Sequence, residues 1–307
     1  MVEEFADGMA VAMCTYSSSY NPTCRWYGPE TNLIFWPADD GNGEGNFVKS
    51  TTTEFNEGQI TRAIINAYHD KFSKQVSGDV IVVGAGPSGL VAAADLARRG
   101  FKVTLIEKRL ATGGGIWGGA MAMNEVVVQD AGLPILEEND IDHRSVGNGL
   151  YIVNAVELAG ALSVAAVRAG VAVLNLIFAE DLCVRRGRVT GVVANRTNLG
   201  ESLPIDPVTF EAKAVVDATG HEAALVQMLR KRRLLDGLAA EAAEGPMDAF
   251  AGESFVVEKA SEVFPGLWAS GMSVVATLGG PRMGPIFGGM LMSGRRVADL
   301  IAEALRD

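Results

Sequence analysis

The chain has 307 residues, of which 48% are hydrophobic and 21% charged, so it can bury a sizeable core and is not disordered. Asp and Glu number 37 against 26 Lys and Arg, and the resulting charge of −11 excludes a nucleic-acid partner bound through a basic face. The sequence has no run of about 18 apolar residues, so we expect no membrane-spanning segment and no membrane partner. Its acidic start lacks the basic region of a secretory signal, and three cysteines are too few for a disulfide framework. We therefore expect a cytoplasmic protein.

Residues 1–56 differ from the rest of the chain and are predicted to be an N-terminal extension of unclear role with little regular structure. Cys14 and Cys24 lie in this extension. Because neither has a nearby His or a CxxC partner, we interpret them as free or buried thiols rather than half of a metal site. Apolar residues then recur at helical spacing over residues 59–72, which predicts an amphipathic helix leading into the core.

The next segment, DVIVVGAGPSGLVAAADLARRGFKVTLIEKR at residues 79–109, predicts one βαβ unit. A buried strand is followed by a glycine turn, an Ala-rich helix and a second buried strand. Gly100 is placed to end the helix, and Glu107 is the last residue of the second strand. This arrangement is typical of the first crossover of a nucleotide-binding sheet.

The turn in this unit, GAGPSG, predicts a dinucleotide site. Gly84, Gly86 and Gly89 allow the tight turn, close approach of a pyrophosphate, and contact between helix and strand. Glu107 is placed to accept hydrogen bonds from ribose hydroxyls. The fingerprint does not separate FAD from NAD, but flavoproteins of this type often place an Asp where Met272 stands, so a flavin is less favoured.

The later elements complete the predicted fold. A helix at 155–169 precedes two alternating runs divided at 186–187, which predicts a hairpin. Buried strands follow at 214–218 and near 267–269, and a long helix leads to the C-terminus. The order predicts an α/β protein with a Rossmann-like dinucleotide-binding fold of the flavoprotein type and a β-rich subdomain inserted at about residues 120–212.

Three further groups are candidates for ligand contact. The run GGGIWGG at 113–119 removes side chains where a backbone can wrap a ligand, although a flexible loop is the alternative. Arg282 lies among glycines and apolar residues before a helix, where its guanidinium suits a carboxylate or, alternatively, a structural acid. His221 follows a buried strand and Asp206 lies in an apparent loop, but one His and one Asp alone make an incomplete metal site.

Taken in order, the segments GAGPSG, EKR, GGGIWGG, VVDATGHE and PRMGPIFGGM resemble the Thi4 family of thiamine thiazole synthases. The resemblance covers about residues 57–307, and the closing PRMGPIFGGMLMSG is similar to the archaeal-type, sulfide-dependent members. It implies a fold related to flavoproteins, NAD bound as a substrate, Fe(II) as cofactor, glycine as co-substrate, and a homo-octamer.

The resemblance also implies roles for individual residues. The residues matching contacts to NAD are Ser88, Gly115, Glu107, Lys108 and Ala179, of which Glu107 and Lys108 match the ribose-binding pair and Ala179 an adenine contact. His221 and Asp206 match the iron ligands, with Asp206 contributed by a neighbouring subunit. Met272 and Arg282 match the residues that bind the co-substrate glycine at the other end of the site. The coordination positions of the iron that no protein residue fills are left to substrate and water.

One position departs from the family pattern. Pro204, two residues before Asp206, stands where self-sacrificing members have a sulfur-donating Cys and sulfide-dependent members usually have His. Pro carries neither a thiol nor a nitrogen lone pair, so this residue cannot give up sulfur. Cys183 belongs to a predicted hairpin strand away from it.

The leading hypothesis is therefore a thiazole synthase that makes an ADP-linked thiazole carboxylate from NAD, glycine and free sulfide with Fe(II). One alternative is a ribose 1,5-bisphosphate isomerase, which the lack of basic phosphate ligands near the glycine runs disfavours. The other is a divergent NAD- or FAD-binding oxidoreductase or binder that lacks synthase activity, an alternative that Pro204 keeps open.

Overall fold

The computed structural model describes residues 11–14, 24–27, 55–197, 206–235 and 244–306. The chain divides into two compact units, Met1–Tyr68 and His69–Asp307. Within the described ranges, no helix is long and apolar enough to cross a lipid bilayer.

The helices and strands of the described ranges are numbered here in chain order. The helices are α1 (Glu57–Lys74), α2 (Pro87–Arg98), α3 (Leu133–Glu138), α4 (Ala155–Arg168), α5 (Ala224–Lys231), α6 (Ala249–Glu258), α7 (Met272–Leu278) and α8 (Gly288–Ala304). The strands are β1 (Val11–Cys14), β2 (Cys24–Tyr27), β3 (Val80–Val83), β4 (Val103–Glu107), β5 (Glu125–Gln129), β6 (Arg144–Gly147), β7 (Leu150–Asn154), β8 (Ala172–Asn175), β9 (Ile177–Arg185), β10 (Arg188–Arg196), β11 (Val208–Glu211), β12 (Ala214–Asp217), β13 (Ser261–Phe264) and β14 (Leu267–Ala269).

The larger unit is built on a central sheet in the order β13-β14-β12-β3-β4-β8. Its strands are parallel except for β13, which is antiparallel to β14. Strand order reverses at β3, the strand that precedes the glycine turn, and α/β sheets bind ligands at such a switch point. This parallel sheet with its helices confirms the predicted α/β fold class.

Both faces of the central sheet are covered, which explains why its strands are continuous apolar runs. One face, carrying Val82 and Leu105, packs against α2, α4 and α8. The opposite face, carrying Ile81 and Ile106, packs against α5 and the sheet formed by β9, β10 and β11. Alternate residues of each strand therefore enter two different clusters of buried side chains.

The stretch 120–212, predicted as one inserted subdomain, contains two three-stranded sheets, β5-β7-β6 and β11-β10-β9. Between them in sequence lie α4 and β8, and β8 pairs with β4 in the central sheet. The predicted hairpin is confirmed: β9 and β10 are antiparallel and joined by Arg186 and Gly187, whose φ angles of +52° and +74° fit a two-residue turn of type I′.

At the N-terminal end, β1 and β2 form an antiparallel pair in which Cys14 stands opposite Cys24 in the register. Helix α1 forms where the sequence predicted it, and the expected approach to the core is confirmed at its C-terminal end, where Phe72 packs edge-on against the buried Phe210 with ring centroids 5.2 Å apart. None of its residues, all of which are described, is buried, and Ile60 and Ile64 stay exposed. The spacing of apolar residues sets which side of a helix is apolar, not whether another element covers it.

Candidate functional site

A cavity of about 590 Å³ lies at the carboxyl ends of β3, β4 and β12. This volume is within the range of small-molecule sites, roughly 300–1,000 Å³. The predicted site residues that line it are Gly84, Gly86, Ser88, Glu107, Lys108, Gly115, Ala179, His221, Met272 and Arg282. The fold thus brings together groups that are up to about two hundred residues apart in sequence, while Gly89 and Asp206 are not among the lining residues.

The glycine turn between β3 and α2 depends on close approach of backbone atoms. Gly84 has φ +102°, and a Cβ there would lie 2.3 Å from the carbonyl oxygen of Ala218. A Cβ on Gly89 would lie 1.9 Å from the carbonyl oxygen of Gly84, so this glycine lets α2 pack against the turn. Gly86, in contrast, has open space where a Cβ would stand and caps α2 at the cavity wall. The N-terminus of α2 is left accessible to an anion.

Glu107 is buried at the end of β4, and both of its carboxylate oxygens accept backbone hydrogen bonds. Oε2 accepts from the N–H of Ala85 and Oε1 from the N–H of Arg109, each at 2.8 Å. The carboxylate therefore fixes the glycine turn while retaining lone pairs for a ligand. Lys108 is exposed, and its Nζ donates to both carboxylate oxygens of Glu222 at 2.7 Å.

The second glycine run is a packed turn. The N–H of Gly113 donates to the carbonyl oxygen of Ala85 at 2.7 Å, which ties the run to the first glycine turn. Ile116 is fully buried, while Trp117 is partly exposed and donates from Nε1 to the carbonyl oxygen of Thr112. The burial of Ile116 disfavours the alternative of a flexible surface loop.

His221 is placed by a buried carboxylate that the sequence reasoning missed. Asp217, at the end of β12, is fully buried, and its Oδ2 accepts from the N–H groups of Leu225 and Val226 at the start of α5. Its Oδ1 accepts from both the N–H and the hydroxyl of Thr219 at 3.0 and 2.7 Å, fixing the short turn that ends at His221. The only sequence signal was an acidic residue closing an otherwise apolar strand.

Arg282 lies on an extended segment that pairs with residues 245–248. Its N–H donates to the carbonyl oxygen of Pro246 at 3.2 Å, and its carbonyl oxygen accepts from the N–H of Asp248 at 3.1 Å. The side chain is exposed at the cavity, which Met272 and Phe287, both largely buried, also line. In the described part of the chain no acidic side chain pairs with this guanidinium, so the alternative of a structural acid gains no support there.

Of the two predicted iron ligands, one lines the cavity of its own chain and the other does not, as expected if Asp206 serves a neighbouring subunit. His221 lines the cavity, whereas Asp206 is exposed at the start of a described segment, two residues before β11. Across all described ranges, no cluster of three His, Cys, Asp or Glu side chains is arranged to bind a metal. Pro204 lies outside the described residues.

Cys183 is half-buried on β9 and is not among the cavity-lining residues. Burial raises the pKa of its thiol, and the nearby Arg185 only partly offsets this effect. A raised pKa leaves less thiolate, the form that acts as nucleophile and ligand. The half-buried position and the raised pKa therefore both disfavour a reactive thiol at Cys183.

The parallel sheet, the glycine turn and the cavity define a protein with a Rossmann-like α/β fold of the flavoprotein type. Comparison with known proteins identifies the family within this fold class. A profile of the Thi4 family matches residues 61–287, and the chain belongs to the Thi4 family.

Each match covers nearly the whole length of the related protein. The thiamine thiazole synthase of Thermococcus kodakarensis is 50% identical over 248 residues, covering 80% of this chain and 98% of the relative. That of Pyrococcus abyssi is 48% identical over 247 residues, covering 80% and 97%. The crystal structure of Thermovibrio ammonificans THI4 is similar with a TM-score of 0.79 and 43% identity, covering 83% of this chain and all of that one.

Proposed function

We propose that the protein is a thiamine thiazole synthase that makes an ADP-linked thiazole carboxylate from NAD, glycine and sulfide, with Fe(II) as cofactor. Family membership and 50% identity to a thiamine thiazole synthase support an enzyme of this kind. The observation that carries the proposal is a single cavity lined by the glycine turn, Glu107, His221 and Arg282. The glycine turn and Glu107 suit a dinucleotide, His221 suits a metal, and Arg282 suits a carboxylate.

The dinucleotide end of the cavity fits NAD. The pyrophosphate would lie at the N-terminus of α2, where Gly86 leaves space and Ser88 lines the wall. The remaining lone pairs of Glu107 are available to ribose hydroxyls, and the exposed Lys108 is beside them. Ala179, on β9, lies at the wall where we propose the adenine binds.

The donor chemistry fits Fe(II) with one side chain from this chain and a second from another copy. Imidazole is a good Fe(II) ligand, and His221 lines the cavity. We propose that Asp206 of the partner subunit is the second protein ligand, in a homo-octamer, and that substrate atoms and water take the other positions. Fe(II) held there would supply a Lewis acid and a site with affinity for sulfide.

At the other end, Arg282 would hold the carboxylate of glycine through two parallel hydrogen bonds. In the proposed reaction the bond between nicotinamide and ribose breaks with uptake of water, and the ribose opens and isomerises to a ketone. The amine of glycine condenses with this carbonyl with loss of water, and sulfide then adds and closes the ring as further water is lost, so nicotinamide and water are the leaving groups and no oxidant is needed. Met272 and Phe287, largely buried apolar residues of the same cavity wall, would help to exclude water from the reacting atoms.

Sulfur is proposed to come from free sulfide. Pro204 has no sulfur to donate, and Cys183 is half-buried, has a raised thiol pKa and is not among the cavity-lining residues. Multiple turnovers should then require added sulfide and leave the mass of the protein unchanged. A loss of about 34 Da would instead show that one of the cysteines gave up its sulfur.

The first test is the mass of small molecules released from the purified, denatured protein. We expect an adenine nucleotide derived from NAD, and a stoichiometric flavin would refute the proposal. The second test supplies NAD, glycine, sulfide and Fe(II) under anaerobic conditions and follows the adenylated thiazole by mass spectrometry. His221→Ala is the matched variant, which should release nicotinamide but form no thiazole.

Pro204 supports one competing function, a binder that has lost synthase activity. Failure of the wild-type protein to form thiazole with all components present would favour it. Pro204→His then separates the two causes, because thiazole formed by that variant would show that only this position had been lost.

A further inference from the structure

Glu244 contacts His221 from a segment that precedes α6. The Oε1 atom of Glu244 lies 2.5 Å from the Nδ1 atom of His221. The His221 side chain is 63% exposed, while that of Glu244 is only 20% exposed. An exposed imidazole ring that lines a cavity is thus held by a side chain that is itself mostly enclosed.

The segment that carries this carboxylate is fixed by its main chain. The N–H of Gly245 donates to the carbonyl oxygen of Gly280 at 2.8 Å, and the Pro246 and Arg282 main chains are joined by a 3.2 Å hydrogen bond. Asp248 then caps α6 through its side chain. The carboxylate of Glu244 therefore projects from an extended segment that main-chain hydrogen bonds hold in place, and not from a free loop.

A carboxylate offers only acceptor atoms, so the ring nitrogen that faces it must donate its hydrogen. With Nδ1 protonated, a neutral imidazole carries its lone pair on Nε2. In the described residues no hydrogen bond to Nε2 of His221 is present, so this nitrogen is available to a ligand in the cavity. Metal-bound histidines commonly donate their other N–H to a carboxylate, which fixes the tautomer and the ring orientation.

We infer that Glu244 is the positioning residue of the metal site, holding His221 in the Nδ1–H tautomer so that Nε2 is the atom that binds the metal. The inference rests on the proposed function, which makes His221 a metal ligand. Residues 245–248, which follow Glu244, also form main-chain hydrogen bonds with Arg282. One extended segment therefore positions both the proposed metal-binding end and the proposed carboxylate-binding end of the cavity.

The first test needs neither metal nor activity. The chain has only three histidines, so the ring nitrogens of ¹⁵N-histidine-labelled, metal-free protein can be assigned at pH 8 with His221→Ala as reference. We expect the Nδ1–H tautomer for His221 in wild type and loss of that preference in Glu244→Ala. Glu244→Gln should restore it, because the amide oxygen accepts the same hydrogen bond. An unchanged tautomer in Glu244→Ala would overturn the inference.

The second test measures binding of Co(II), a spectroscopic probe for the metal site, by equilibrium dialysis and visible absorption. Removing a carboxylate that supports a metal-bound histidine typically weakens binding 10–100-fold, and we expect this loss and an altered Co(II) spectrum in Glu244→Ala. Glu244→Gln should lose less. Glu258→Ala, the same truncation at an exposed residue of α6, should bind as wild type.

The two tests separate the inference from the function on which it rests. If His221→Ala binds Co(II) as tightly as wild type, the proposed metal site is wrong and the inference falls with it. If His221→Ala loses Co(II) while Glu244→Ala retains wild-type affinity and spectrum, the metal site stands and the positioning role of Glu244 is refuted.

Discussion

Glu253 couples the stability of the fold to pH. It lies on α6, is largely buried, and accepts a 2.7 Å hydrogen bond at Oε2 from the N–H of Gly289 near the start of α8. Burial raises the pKa of Glu253 from 4.5 to about 7, against the lowering effect of the Gly289 N–H. Between these pH values the folded protein holds a proton that the unfolded chain has lost.

The sign of the effect follows from this difference in bound protons. Where the folded state binds more protons than the unfolded state, the free energy of unfolding falls as pH rises. A full pH unit within the window corresponds to about 1.4 kcal/mol. Between pH 5 and pH 8 the loss contributed by Glu253 is therefore about 2–3 kcal/mol, mostly below pH 7.

Glu253→Gln isolates this contribution, because Gln keeps an acceptor for Gly289 and has no ionised form. Urea unfolding of wild type and variant, at equal protein concentration, should show the variant more stable by about 1 kcal/mol at pH 5, where the unfolded carboxyl group is already mostly ionised. At pH 8 this advantage should reach about 3 kcal/mol, an increase of about 2–3 kcal/mol across the window. Glu258→Gln, on the exposed end of the same helix, is the control. Identical pH dependence in wild type and Glu253→Gln would show that this reasoning is wrong.

Three further substitutions test the site. Asp217→Asn should lower the free energy of unfolding by about 2–4 kcal/mol, measured by urea unfolding, because an amide cannot accept all the hydrogen bonds of this buried carboxylate. Gly84→Ala should abolish nucleotide binding in calorimetry, since its Cβ would meet the Ala218 carbonyl oxygen, whereas Gly160→Ala, in open space, should bind normally. Arg282→Lys should raise the KM for glycine by a factor corresponding to about 2–3 kcal/mol, with little change for NAD, because a point charge cannot make two parallel bonds; equal changes for both substrates would contradict the assignment.

The parts of the fold that were predictable depend on short-range signals. The βαβ unit at 79–109 has apolar runs, a glycine turn and a terminal acid within about thirty residues, and it forms as predicted. The sequence did not indicate that the residues before the hairpin turn form two strands, β8 and β9, in different sheets. Leu176, with φ +58°, separates β8 in the central sheet from β9 in the smaller sheet. A left-handed leucine carries no sequence signal, because local preference opposes the conformation and only tertiary packing enforces it.

In the candidate site, too, the features with local sequence signals were predicted and those that depend on tertiary contacts were not. Glycines and an acid at fixed spacing pointed to the proposed dinucleotide end of the cavity, because those requirements are local. Asp217 and Glu244 were missed, since their partners are brought near by the sheet and by the pairing of residues 245–248 with Arg282. Helix α6, which begins after that pairing, was not predicted either, and its capping Asp248 is a weak signal when read alone.

The hydrogen bonds from Ala85 to Glu107 and from Gly113 to Ala85 hold the glycine turn in shape before any ligand arrives. A nucleotide entering this cavity need not order a loop, so the entropy of arranging the turn is lost during folding and not during binding. Affinity in such a preformed site is set mainly by how slowly the ligand leaves. A substitution at Glu107 would therefore have two effects, removing the proposed ribose contact and loosening the turn. Its effect on binding should be compared with the order of the turn measured by hydrogen exchange.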